Sequence, residues 1–155
     1  MISLERRFVL GLAATLLAVF GFLFWGSVTT VRSLAEADVQ ARLEHDAEAL
    51  LGAVWVNPQG QPRLREGRIT PVYQQPLSGH YFVVRFADGR RVRSRSLWDE
   101  DLDVPSVPPG ELSSRPVAGP GGQQLWLRAA GYEKGGLSFT LAVAEVMAPL
   151  AASIN

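Results

Sequence analysis

Residues 80–97 read HYFVVRFADGRRVRSRSL. The run 80–86 is rich in aromatic and β-branched residues, which suit a pleated surface. Side chains alternate between faces along a strand, so Phe82, Val84 and Phe86 share one face, and Tyr81, Val83 and Arg85 share the other. The Asp88-Gly89 pair inside ADGR favours a tight hairpin turn. Residues 91–97 therefore read as the returning strand, with Arg91, Arg93 and Arg95 on one face. A hairpin of this kind sets the class: this half of the chain is an antiparallel sheet.

Upstream the period changes from two to 3.6. Over 32–56, RSLAEADVQARLEHDAEALLGAVWV, the residues Val39, Leu43, Leu50 and Val54 recur at helical spacing, and Ala47 fills the gap. Gly52 and Pro58 mark the end of that helix. Its apolar stripe has two partners to choose from, the sheet and the same helix of a second copy. No breaker separates it from residues 8–31, FVLGLAATLLAVFGFLFWGSVTTV, which hold no charge. About 20 apolar residues cross a hydrocarbon core, and this run exceeds the usual signal-peptide core, so it reads as an uncleaved span. Arg6 and Arg7 precede it and Arg32 follows, which places 1–7 in the cytoplasm and the rest outside, in a Gram-negative periplasm.

Downstream, 57–80 is irregular, with turn signals at Asn57-Pro58, Gln61-Pro62 and Gln75-Pro76. Residues 103–124 carry five prolines and read as a long loop with room for one short edge strand. Two more strands follow at 124–132 and 137–146, joined by the EKGG hairpin loop. In the last strand Leu137, Phe139, Leu141 and Val143 point inward, and Ser138, Thr140, Ala142 and Ala144 point outward. The expected fold is α+β: a transmembrane helix continuing into a long amphipathic helix, packed on an antiparallel sheet of about four or five strands.

Bulk properties narrow the function. Of 155 residues, 15 are basic and 15 acidic, so no net charge draws a polyanion, and with a location outside the cytoplasm nucleic acid is disfavoured. The absence of cysteine excludes thiol nucleophiles and thiolate metal sites. Neither a nucleophile-elbow motif nor a P-loop is present, so no catalytic residue is assigned.

The wording RLEHDAEALLGAV (42–54), YQQPLSGHYFVV (73–84), DGRRVRSRSLWD (88–99), GPGGQQL (119–125) and LAVAE (141–145) resembles the input half of bacterial two-component sensor histidine kinases of the PhoQ-like group. That resemblance covers the whole chain and is carried most strongly by 74–84 and 93–99. It implies a PAS-like periplasmic sensor domain over 57–146 and a signalling helix over 32–56. It also implies a homodimer in the inner membrane, and a return toward a second span from 147–155. The ATP-binding kinase half and its response regulator would belong to a longer protein. The runner-up is a single-span envelope assembly or scaffold protein, with a membrane-anchored hydrolase a distant third.

Sites follow from residue type. Asp99, Asp101 and Asp103 open like an EF-hand loop, but Val104 and Gly110 stand where Gly and Glu are required, so only a looser calcium or magnesium site over Asp99, Glu100, Asp101 and Asp103 is kept. Arg91, Arg93 and Arg95 suit a carboxylate or phosphate ligand, or pair with those acids. Trp98 reads as an anchor for the strand end. His45 reads as a solvated or interface helix position, and His80 as a turn residue. The two are far apart in sequence, which speaks against a transition-metal site.

Overall fold

The structure, a computed structural model, describes residues 4–147. It divides into two units, Met1–Asp38 and Val39–Asn155. Helix α1, Leu4–Ala53, supplies the whole described part of the first. Its stretch Leu4–Val31, 28 residues of mean hydropathy 2.3, is long and apolar enough to cross a membrane, and none of it is buried within the protein. The threonine hydroxyls in this stretch bond back into the helix. Thr15 Oγ1 donates to Gly11 O at 2.9 Å and Thr30 Oγ1 to Gly26 O at 2.8 Å, so neither demands water.

In the second unit α1 ends at Ala53, three residues before the expected boundary, and the chain passes directly into strand β1, Val54–Val56. Strand β2, Pro62–Leu64, returns against it, with Trp55 opposite Arg63. The turn between them is built by Asn57, whose Oδ1 accepts from the amides of Gln59 and Gln61. Residues 57–80, read as irregular, thus begin with the turn and second strand of a small two-stranded ribbon.

The main sheet has five antiparallel strands: β3 (His80–Phe86), β4 (Arg91–Arg93), β5 (Leu112–Ala118), β6 (Gln124–Lys134) and β7 (Leu137–Val146). Their order is β4-β3-β7-β6-β5, so α+β holds, at the upper end of the expected strand count. The β3–β4 hairpin turns at Asp88-Gly89 as the sequence required, with Gly89 at φ 88° and its amide on Phe86 O. The 103–124 segment contains a seven-residue edge strand, β5, where only a short one was expected. Pro116 is tolerated there because one side of an edge strand needs no ladder donors.

Both faces of the sheet are buried. One carries Phe82, Val84, Phe86, Phe139, Leu141 and Val143, covered by Leu43, Ala47, Leu50 and Val54. The other carries Tyr81, Val83, Leu125, Leu127, Ala129, Ala142 and Ala144, covered by Leu97, Leu102, Val104 and Val107. Ala142, Ala144 and Thr140, assigned outward by alternation, are therefore interior. Small side chains let the irregular 97–107 segment lie close to the sheet. Thr140 Oγ1 holds it there, accepting from Val107 N at 2.9 Å and donating to Val107 O at 3.2 Å. The return segment expected at 147–155 lies, from residue 148 on, outside the described residues.

Candidate functional site

Strand β4 stops at Arg93, and 95–97 form a short 3-10 turn, so Arg95 leaves the line of Arg91 and Arg93. Arg91 reaches the acidic loop: Nη1 donates to Asp101 Oδ2 at 2.9 Å and Nη2 to Leu102 O at 3.0 Å. Arg93 Nη1 donates to Glu100 O at 2.6 Å. Arg115 on β5 pairs with Asp103 at 3.2 Å. Asp101 and Asp103 are thus held by different arginines, and among the described residues no three His, Asp or Glu side chains converge as a cation cage. Trp98 is not an anchor. It is 67% exposed at φ 57°, unusual for a bulky residue, and the buried anchor is its neighbour Leu97.

The stripe Val39, Leu43, Leu50 and Val54 is committed to the sheet. Leu43, Leu50 and Val54 are buried and the partly buried Val39 packs at the edge of the same core, so the sheet is the partner of this stripe within one chain. Val54 also belongs to β1 and not to the helix. Beside the stripe, α1 makes a series of polar ties. Arg42 pairs with Glu145 of β7 at 3.2 Å, and Glu44 with Arg128 of β6 at 3.7 Å. Asp46 Oδ2 accepts from Tyr73 Oη at 2.7 Å. Burial first, and the hydrogen bond to Asp46 second, push the Tyr73 phenol far above its ordinary range, so it stays a donor. At the helix end Lys134 Nζ donates to Leu51 O at 3.1 Å and Val54 O at 2.6 Å, satisfying carbonyls that the last turn leaves open.

The structure brings together the two histidines that the sequence kept apart. His45 and His80 line one cavity of about 410 Å³ with Arg42, Asp46 and Glu145. His80 stands opposite Glu145 in the β3–β7 register, and its ring meets Tyr73 edge-on at 6.3 Å. A second cavity, about 300 Å³, opens between β2, the 3-10 turns that follow it, and the β3–β4 edge. Tyr73, Phe82, Ile69 and Val92 give it apolar walls, and Arg63, Arg93 and Arg95 bring charge to it. Tyr73 belongs to both places, lining this cavity with its ring and holding α1 with its hydroxyl.

Over 148 residues, 96% of this chain, the sequence is 34% identical to the sensor protein kinase CarS of Pseudomonas aeruginosa. The match is to a sensor kinase. The chain spans 32% of that protein's length. No family model matches the chain. No solved structure matches it.

Sequence reasoning missed the polar ties and the Tyr73 junction, because they join residues tens of positions apart. Lys134 did carry a signal, as the one lysine beside fourteen arginines.

Proposed function

We propose that this chain is the sensing and transmitting part of a two-component sensor kinase, anchored in the inner membrane by Leu4–Val31 with its sheet domain in the periplasm. The observation that carries the proposal is the alignment of nearly the whole chain with a sensor protein kinase, combined with the course of α1. That helix runs unbroken from an apolar stretch exposing Phe8, Phe20 and Trp25 into residues that form one wall of the sheet core. Exposed aromatic and aliphatic side chains over that length require an apolar solvent, and a bilayer supplies one.

In this reading, a stimulus that alters packing at the sheet shifts α1, and the shift passes along the same helix into the membrane. Tyr73, Arg128 and Glu145 tie three sheet-domain elements to α1, so the helix responds to changes at any of them. A homodimer would supply two helices side by side, the bistable element that signalling of this kind needs. The kinase reaction, its ATP and the response regulator belong to the longer protein. The PhoQ-like grouping rests on the wording of 74–84 and 93–99.

The test is a chimera in which this chain replaces the aligned segment of the Pseudomonas kinase. Membrane vesicles carrying it should autophosphorylate, and an alkaline phosphatase fused after Gly136 should be active only outside the cytoplasm. A chimera that is inserted and folded but locked in one kinase state under every packing substitution in the sheet domain would count against the proposal.

A further inference from the structure

We infer that the cavity between β2 and the β3–β4 edge is a binding site for an apolar monocarboxylate, a small molecule with a hydrocarbon or aromatic body and one anionic head. Its volume, about 300 Å³, lies at the small end of ligand pockets. The apolar body has a surface to meet. Leu64, Ile69 and Val92 are partly open at the cavity, and behind them Tyr73 and Phe82, 2% exposed, form an edge-on aromatic pair at 5.4 Å. The head has partners as well. Arg63, Arg93 and Arg95 line the cavity against one carboxylate, Glu66. Among the described residues none of the three arginines has a carboxylate within ion-pairing distance, while Arg91 and Arg115 beside them do. In a chain of zero net charge, this is a local surplus of cation around an apolar floor.

Each half of the site excludes alternatives. A cation would meet three guanidiniums. A bare phosphate would leave the partly open Leu64, Ile69 and Val92 uncovered. A polyanion would meet Glu66. A guanidinium fork binds a carboxylate head through two parallel hydrogen bonds. Tyr73, which lines the cavity behind its apolar wall, donates its hydroxyl to Asp46 of α1 and so links the site to the helix. That coupling step rests on the signalling role proposed above, whereas the binding step does not.

The test uses the full chain in lipid nanodiscs and reads binding directly, so its failure leaves the kinase chimera untouched. The probes are 4-phenylbutyrate, 4-phenylbutylamine and inorganic phosphate, titrated by calorimetry with empty nanodiscs as the blank. We expect saturable binding of 4-phenylbutyrate, with at least tenfold weaker binding of the amine and of phosphate. Arg63→Gln and Arg95→Gln, both at exposed side chains, should each weaken the carboxylate by about tenfold while leaving the melting temperature of the free protein unchanged. Absence of saturable carboxylate binding overturns the assignment. So does an amine that binds equally well, which would make the cavity merely apolar, or phosphate that binds equally well, which would make it merely cationic. Should a substituted chain fail to fold, the three-probe comparison on the unsubstituted chain still decides.

Discussion

Tyr73 shows how much one side chain can join. Its ring is buried against Phe82 and its hydroxyl donates to Asp46 on α1 at 2.7 Å. A hydrogen bond to a charged acceptor contributes about 1.5–3 kcal/mol. Tyr73→Phe should therefore lower stability by about that much in denaturant titration, with the far-ultraviolet circular dichroism unchanged. Asp88 makes a prediction in pH. The Arg90 backbone amide, and then its side chain, hold the Asp88 carboxyl below the ordinary range. A lowered folded value contributes stability above the unfolded value, about 3.9, and loses it as pH falls through the folded one. The gap in melting temperature between the natural chain and Asp88→Ala should thus be widest near neutrality and close in acid. A constant gap would mean that the turn, and not the charge, sets the difference. Neither role of Tyr73 was legible in the sequence, because its partner lies 27 residues away and on another element. The Asp88 turn was legible, because all of its partners are within two residues.

At the scale of elements, local pattern succeeded where hydrogen bonds are local and failed where tertiary cover decides. The hairpin at 80–93 and the helix over the sheet followed from periodicity. The burial of Thr140, Ala142 and Ala144 did not, because alternation cannot show that an irregular segment covers the second face. Gly131 in β6 belongs to that cover. A Cβ there would overlap the Pro108 carbonyl, where the segment crosses the strand in a bridge between Pro109 and Gly131. Gly131→Ala should destabilise more than Gly136→Ala, although Gly136 has the positive φ of 78°, since around Gly136 there is open space and at Gly131 there is backbone. Thermal melts of the two variants would show it. The homodimer proposed above would then need a different seam. With Leu43 and Leu50 facing the sheet, the open side of α1 presents Ala41 and Glu48, spaced one heptad apart. In a chain with no cysteine of its own, Ala41→Cys and Glu48→Cys should crosslink in membranes, and Leu43→Cys and Leu50→Cys should not. The reverse pattern would rule out the helix–sheet packing described here.

At the scale of the whole molecule, one helix, Leu4–Ala53, joins an apolar stretch to the sheet domain. Its first part is apolar on every side and its later part on one face only. That change of pattern is written in the sequence, and it is why the apolar stretch and the amphipathic helix were both legible there. What the sequence left open is where a stimulus meets the helix, since the cavities that adjoin Tyr73 and Glu145 are lined from several elements at once. The most direct measurement is autophosphorylation of the kinase chimera with Leu50 changed to Ala. Leu50 is 3% exposed, and its truncation should cost about 2–5 kcal/mol of packing between helix and sheet. If α1 carries the signal, this substitution shifts steady-state phosphorylation several-fold, while Ala49→Ser on the exposed side of the same turn leaves it unchanged. Equal phosphorylation in both variants, with the sheet domain still folded, would contradict the account.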